Sequence, residues 1–169
     1  MALQYLLNNG AMNTTAAPVK VTTGTAIKTL MQFKPLVSCK VIEWGISFDG
    51  SAAATPGEVE LIETDVAATV TAFVNADITQ WNADAIQFGN PTTALISVGT
   101  AASGYTASAE GTTTASREID AAQLIAPTNQ YIKQWPLGRE PFLQANKFTR
   151  VRVTFGAAVN AYCYMIVEF

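Results

Sequence analysis

The chain has 169 residues, of which 49% are hydrophobic and 14% charged, with a formal net charge of −3. That length suits one sizeable core, and the sparse, net-negative charge argues against nucleic acid as a partner, because no basic stripe is present to displace phosphate counterions. There is no histidine, which removes Ser-His-Asp and Cys-His nucleophilic sites and the commonest transition-metal ligand, and no run reaches the roughly 20 apolar residues of a membrane helix.

The first stretch, residues 1–18, reads as an amino-terminal arm. "NNGAMNTTAAP" carries turn formers and small residues, and Leu3, Tyr5, Leu6 and Leu7 are its apolar anchors. Such a terminus is either a loose tail or a segment that becomes ordered on a partner. In the second case its removal weakens binding and leaves the fold intact. It lacks the basic and long apolar regions of a secretory signal, so the chain is expected to be made in the cytoplasm of its host.

Residues 19–169 read as a single β domain. Val19, Val21, Ile27 and Met31 lie among Thr and Lys, and β-branched residues favour strands. "KVIEWGISFDGS" alternates, with Ile42, Trp44, Ile46 and Phe48 on one face and Val41, Glu43, Gly45 and Ser47 on the other. "DGSAAATPGE" is a loop. In "EVELIETD", Val59 and Leu61 alternate with Glu58, Glu60 and Ile62. "AATVTAFVNADI" fits a helical face or a strand, and its neighbours favour the strand. Trp81 to Pro91 reads as a loop with a helical turn.

Ala94 to Val98 and Thr112 to Ile119 read as strands with a Gly-punctuated loop between them. Gln130 to Trp135 is a further strand, and Pro136 places it at an edge or an end. In "KFTRVRVTFG", Thr149, Val151, Val153 and Phe155 alternate with Phe148, Arg150, Arg152 and Thr154. "AYCYMIVEF" puts Cys163, Met165, Val167 and Phe169 on one face and Tyr162, Tyr164, Ile166 and Glu168 on the other. These last two runs suggest a hairpin. About eight short strands with Gly and Pro turns and little helix predict an all-β fold, a β-sandwich of jelly-roll type.

Several residues are candidates for chemistry. Glu58 and Glu60 share a strand face about 7 Å apart, a spacing at which paired carboxylates hydrolyse glycosides or bind calcium. An exposed acidic strand face is the simpler reading. Arg150 and Arg152 also share a face, and ion pairing is a commoner use for such a pair than phosphate binding. Trp44, Trp81, Trp135, Tyr131, Tyr162 and Tyr164 fit a sugar-binding groove or, more commonly, core and interface packing. Cys39 and Cys163 read as reduced, buried thiols. With Cys163 inward, Tyr162 and Tyr164 point outward as candidate interface residues.

The stretches "TAIKTLMQFKP", "KVIEWGISFDGS", "GEVELIETDVAATVT", "GTAASGYTASAEGT", "APTNQYIKQWPLGREP" and "VRVTFGAAVNAYCYMIVEF" together resemble a family of structural proteins of tailed bacteriophages. The likeness spans nearly the whole chain after residue 20 and rests on wording and strand order. It implies a virion component: a head decoration (cement) protein on the capsid surface, or a tail protein. No enzyme activity and no cofactor is implied. The implied partners are the major capsid protein and further copies of this chain, with a homotrimer at three-fold sites favoured and no contact with nucleic acid or membrane. A tail or fibre module that binds host glycans is the alternative, and outward-facing tryptophans in a concave groove would favour it.

Overall fold

The computed structural model describes residues 2–11, 17–49, 56–82, 94–125 and 130–169. The loop expected after Asp49 and most of the loop expected after Trp81 lie outside the described residues. The described residues form two antiparallel sheets packed face to face, an all-β sandwich.

One sheet has seven strands. They are β1 (Gln4–Asn8), β2 (Val21–Thr22), β4 (Cys39–Asp49), β7 (Thr79–Gln80), β10 (Gln130–Gln134), β11 (Phe142–Leu143) and β13 (Asn160–Glu168), and the main path runs β10-β4-β13-β1-β7. The other has six: β3 (Lys28–Phe33), β5 (Gly57–Thr64), β6 (Thr69–Ala72), β8 (Gly104–Ala109), β9 (Ser116–Leu124) and β12 (Phe148–Thr154), in the order β6-β8-β3-β12-β5-β9. A single 3-10 turn, Asn75–Asp77, follows β6 among the described residues.

The core lies between the sheets and follows the period-two pattern of the sequence. Trp44, Ile46, Cys163 and Met165 from the seven-stranded sheet meet Leu61, Val151, Val153 and Phe33 from the other, all buried. Burying one such aliphatic side chain contributes about 2 kcal/mol. One carboxylate ties the open edges of the two sheets together. Asp120 on β9 accepts hydrogen bonds from Trp44 Nε1 at 3.0 Å and Tyr131 Oη at 2.8 Å. Burial, then this hydrogen bond, pushes the Tyr131 hydroxyl pKa up to about 12.

The two cysteines are free and buried. Cys163 sits opposite Ile46, and Cys39 lies seven residues back along β4, some 20 Å away at strand rise. No disulfide can join them.

The structure departs from the sequence reading at several points, one being residues 94–98, read as a strand, where a single bridge joins Ile96 to Pro35. Residues 4–8 are not part of an arm. They form β1, an interior strand paired with β13 on one side and β7 on the other. Tyr5 and Leu7 are 1% and 0% exposed, because alternate apolar residues in QYLLN match the pleat and complete the core. Leu3 packs against that core and exchanges backbone hydrogen bonds with Phe169.

β12 and β13 are not a hairpin. They lie in different sheets, since each has one apolar face and stacking the two faces buries both, which side-by-side pairing would not do. In β4, a bulge opposite Ile166 and Val167 turns Ile42 outward beside Glu43 and takes Val41 inward. The stretch read as a glycine loop contains β8, held by backbone pairing to β3 and β6. A Cβ on Gly104 there would stand 2.0 Å from the Thr71 carbonyl oxygen, so the close approach requires glycine.

Candidate functional site

The outward face of the seven-stranded sheet carries the most unusual surface. Antiparallel sheets that face water on one side usually alternate apolar-in with polar-out. Here the outward positions of β13 are Tyr162, Tyr164 and Ile166, those of β1 include Leu6 and Asn8, and β4 contributes Ile42 and Glu43 through its bulge. Together they line a groove of about 500 Å3, with Gln4, Gln134 and Trp81 at its margins. A smaller hollow of about 160 Å3, lined by Ser47, Gln130 and Ile132, adjoins it, and the two tyrosines line both.

The tyrosines are held in place. Tyr162 donates to Asn8 Oδ1 at 2.6 Å, and Tyr164 donates to Glu43 Oε1 at 2.5 Å. Burial, then the bond to Glu43, pushes the Tyr164 hydroxyl pKa upward, so it stays a donor at any physiological pH. The Tyr164 ring lies against the sheet above Gly45. A Cβ on Gly45 would stand 2.6 Å from Tyr164 Cε1, so glycine at this position lets the ring lie flat. Trp81 is 57% exposed, and its backbone is fixed because its amide donates to the Gln4 carbonyl at 2.7 Å.

A second surface lies along the edge of β4, where the chain passes from β10 to β11. Residues 136–139 form a tight turn in which the Arg139 amide donates to the Pro136 carbonyl at 2.9 Å and Gly138 has φ 81°. This is a type II turn, whose third position requires positive φ. The Gly138 amide also donates to both carboxylate oxygens of Glu140, at 3.0 and 2.9 Å. Leu137 at the tip is 97% exposed. On β11 Phe142 is 60% exposed, and Val37, ahead of β4, is 50% exposed, with Lys40 Nζ 5.5 Å from the Phe142 ring centroid. The backbones are cross-linked, since Asn146 donates to the Pro35 carbonyl at 2.7 Å and Ala145 to Ser38 Oγ at 3.4 Å.

The sequence candidates separate cleanly. Tyr162, Tyr164 and Leu6 come together in the groove, whereas Tyr5 and Leu7 are in the core and Leu3 is packed against it. Of the six aromatics weighed for a groove, Trp81, Tyr162 and Tyr164 line it, while Trp44, Tyr131 and Trp135 belong to the core or pack on it. Glu58 and Glu60 do share a face, but both Glu60 oxygens accept from Arg152, at 2.8 and 3.0 Å, and Glu58 is exposed. Arg150 pairs with Glu110 at 3.4 Å.

Leu137 was not a candidate. An apolar residue between Pro and Gly in a turn is necessarily presented to solvent, and "PLG" carries that signal. Compared with known proteins, the chain matches no family model, no curated protein and no solved structure.

Proposed function

We propose that the chain is a structural component of a tailed-bacteriophage virion, a capsid decoration protein that binds and stabilises the head lattice through protein–protein contacts. The observation that carries this reading is the exposed apolar surface between β10 and β11. A leucine 97% exposed sits on a turn pinned by one backbone hydrogen bond and by the Glu140 carboxylate on the Gly138 amide, and five residues on, in β11, a phenylalanine is 60% exposed. Apolar side chains on rigid backbone lose little conformational freedom on docking, which favours their use as interface anchors. The low charge of the whole chain points the same way, as does its resemblance to phage virion proteins. Copies arranged on a symmetric lattice would add avidity to each modest contact.

The test is occupancy on undecorated phage heads. A double variant, Leu137→Ser with Phe142→Ser, is expected to melt like the wild type, because exposed substitutions cost no more than about 0.5 kcal/mol. It should bind heads far more weakly. Binding at wild-type occupancy would overturn the proposed contact surface.

A further inference from the structure

We propose that the groove on the outward face of the seven-stranded sheet binds a neutral oligosaccharide. This goes beyond the decoration role and uses a different surface, so it holds wherever on the particle the chain sits.

Three features select the ligand. The first is flat aromatic surface. Tyr162 and Tyr164 are two residues apart on one strand face, about 7 Å, and both hydroxyls are tethered to groove side chains, Asn8 and Glu43. Tyr164 lies along the sheet over Gly45, so the opposite face of its ring is offered outward, and Trp81 adds a third ring that is 57% exposed. Such faces carry negative π density and attract the polarised C–H bonds on the flat side of a pyranose ring.

The second feature is unspent polar capacity among those rings. Asn8 accepts from Tyr162 through Oδ1, and among the described residues its Nδ2 has no partner. Glu43 accepts through Oε1, which leaves Oε2 open, and the Gln134 side chain is unpaired among the described residues. Planar amides and a carboxylate provide donors and acceptors for vicinal hydroxyls. A purely apolar peptide would bury these groups without partners, at a cost.

The third feature is charge. Among the described residues the groove lining includes Glu43 and no lysine or arginine. That disfavours nucleic acid, phosphate and sulfated or sialylated glycans. It also disfavours the same face of a second copy, since a two-fold contact would bring like carboxylates together.

The experiment is isothermal titration of the full chain with neutral hexasaccharides (cellohexaose, maltohexaose and chitohexaose), with a heparin hexasaccharide as the anionic arm. The Trp81 indole Nε1–H resonance is followed in parallel. At least one neutral glycan is expected to bind and to shift the Trp81 signal, and heparin is not. Trp81→Ala should weaken binding about tenfold, the loss of one aromatic contact, with an unchanged melting temperature. Tyr164→Ala should weaken binding similarly, with a lowered melting temperature because the ring packs on Gly45 and its hydroxyl bonds Glu43, and Trp81→Ala alone suffices if Tyr164→Ala fails to fold. No binding of any neutral glycan at millimolar concentration overturns the proposal. So does binding indifferent to Trp81→Ala, tighter binding of heparin, or a groove variant that loses phage-head binding while no glycan binds.

Discussion

The two outward faces of this sandwich are finished in opposite ways. The outward face of the six-stranded sheet is covered by the chain itself. Arg150, fully buried, donates to the carbonyls of Val66 and Glu110 and pairs with the Glu110 carboxylate. Gln32, also fully buried, accepts from the Ala68 amide at 2.7 Å and donates to the carbonyls of Ala101 and Ala102, both at 3.1 Å. Long polar side chains thus tie down three connecting segments, at Val66 and Ala68, at Ala101 and Ala102, and at Glu110. The outward face of the seven-stranded sheet has tyrosines and isoleucines around a groove that stays open. A polar residue on a strand can therefore signal self-coverage, and an apolar one can signal a surface reserved for another molecule. The second inference is the functional one, because apolar area is left open where a ligand or partner is to cover it.

The largest predicted effect concerns the base of the open face. Deleting residues 1–9 removes β1 from between β13 and β7, together with Tyr5 and Leu7 from the core. Each large core truncation alone costs about 2–5 kcal/mol, so the shortened chain is expected not to fold, as read by circular dichroism. A stable, cooperatively melting deletion product would restore the arm reading.

Next comes Arg150→Met. It removes the guanidinium from the carbonyls of Val66 and Glu110 and from the Glu110 carboxylate, which keeps its bonds from Thr29, and removing the buried member of an ion pair costs about 3 kcal/mol. Chemical denaturation should show that loss, and a cost under about 1 kcal/mol would mean that these side chains do not hold the segments down. Tyr164→Phe on the open face is the matched control. It removes one half-exposed hydrogen bond and is expected to cost only about 1 kcal/mol. Equal costs at the two positions would erase the distinction between the faces.

A smaller effect is expected in acid. Asp65 belongs to the covering loops, accepting from the Thr114 hydroxyl and from the amides of Thr114 and Ala115, both at 3.1 Å. The Thr114 hydroxyl, then the Ala115 amide, hold its pKa down at about 2, against an ordinary value of 3.8. A carboxyl lowered on folding contributes stability that is fully present above pH 3.8 and is lost as the pH falls through about 2. Asp65→Asn should therefore flatten the pH dependence of stability between those values. An unchanged acid slope would show that Asp65 does not anchor the covering loop.

Much of the fold was legible because period-two alternation survives in a sheet with one buried face. β13 has the inward and outward residues that its sequence suggests, whereas β5 is buried at every position but Glu58 and β12 buries the outward Arg150. Legibility failed where tertiary pairing outweighed local pattern. QYLLN is too short to distinguish an interior strand from a sticky tail without its partners β7 and β13. GYTASA has almost no apolar side chain to alternate, and its pairing is through backbone. The bulge that brings Ile42 into the groove depends on register against β13, which no single strand encodes. Tyr162 and Tyr164 were readable as outward residues once Cys163 was placed inward. Trp81 and Leu137 required the turns that present them.

The most direct measurement of the proposed function is a cryo-electron microscopy map, at side-chain resolution, of phage heads incubated with this chain. The account predicts copies on the head, with Leu137 and Phe142 pressed against capsid subunits and the Tyr162–Tyr164 groove open to the outside. A particle without the chain would contradict it. So would a map in which the groove lies on the capsid and the Leu137 turn faces solvent.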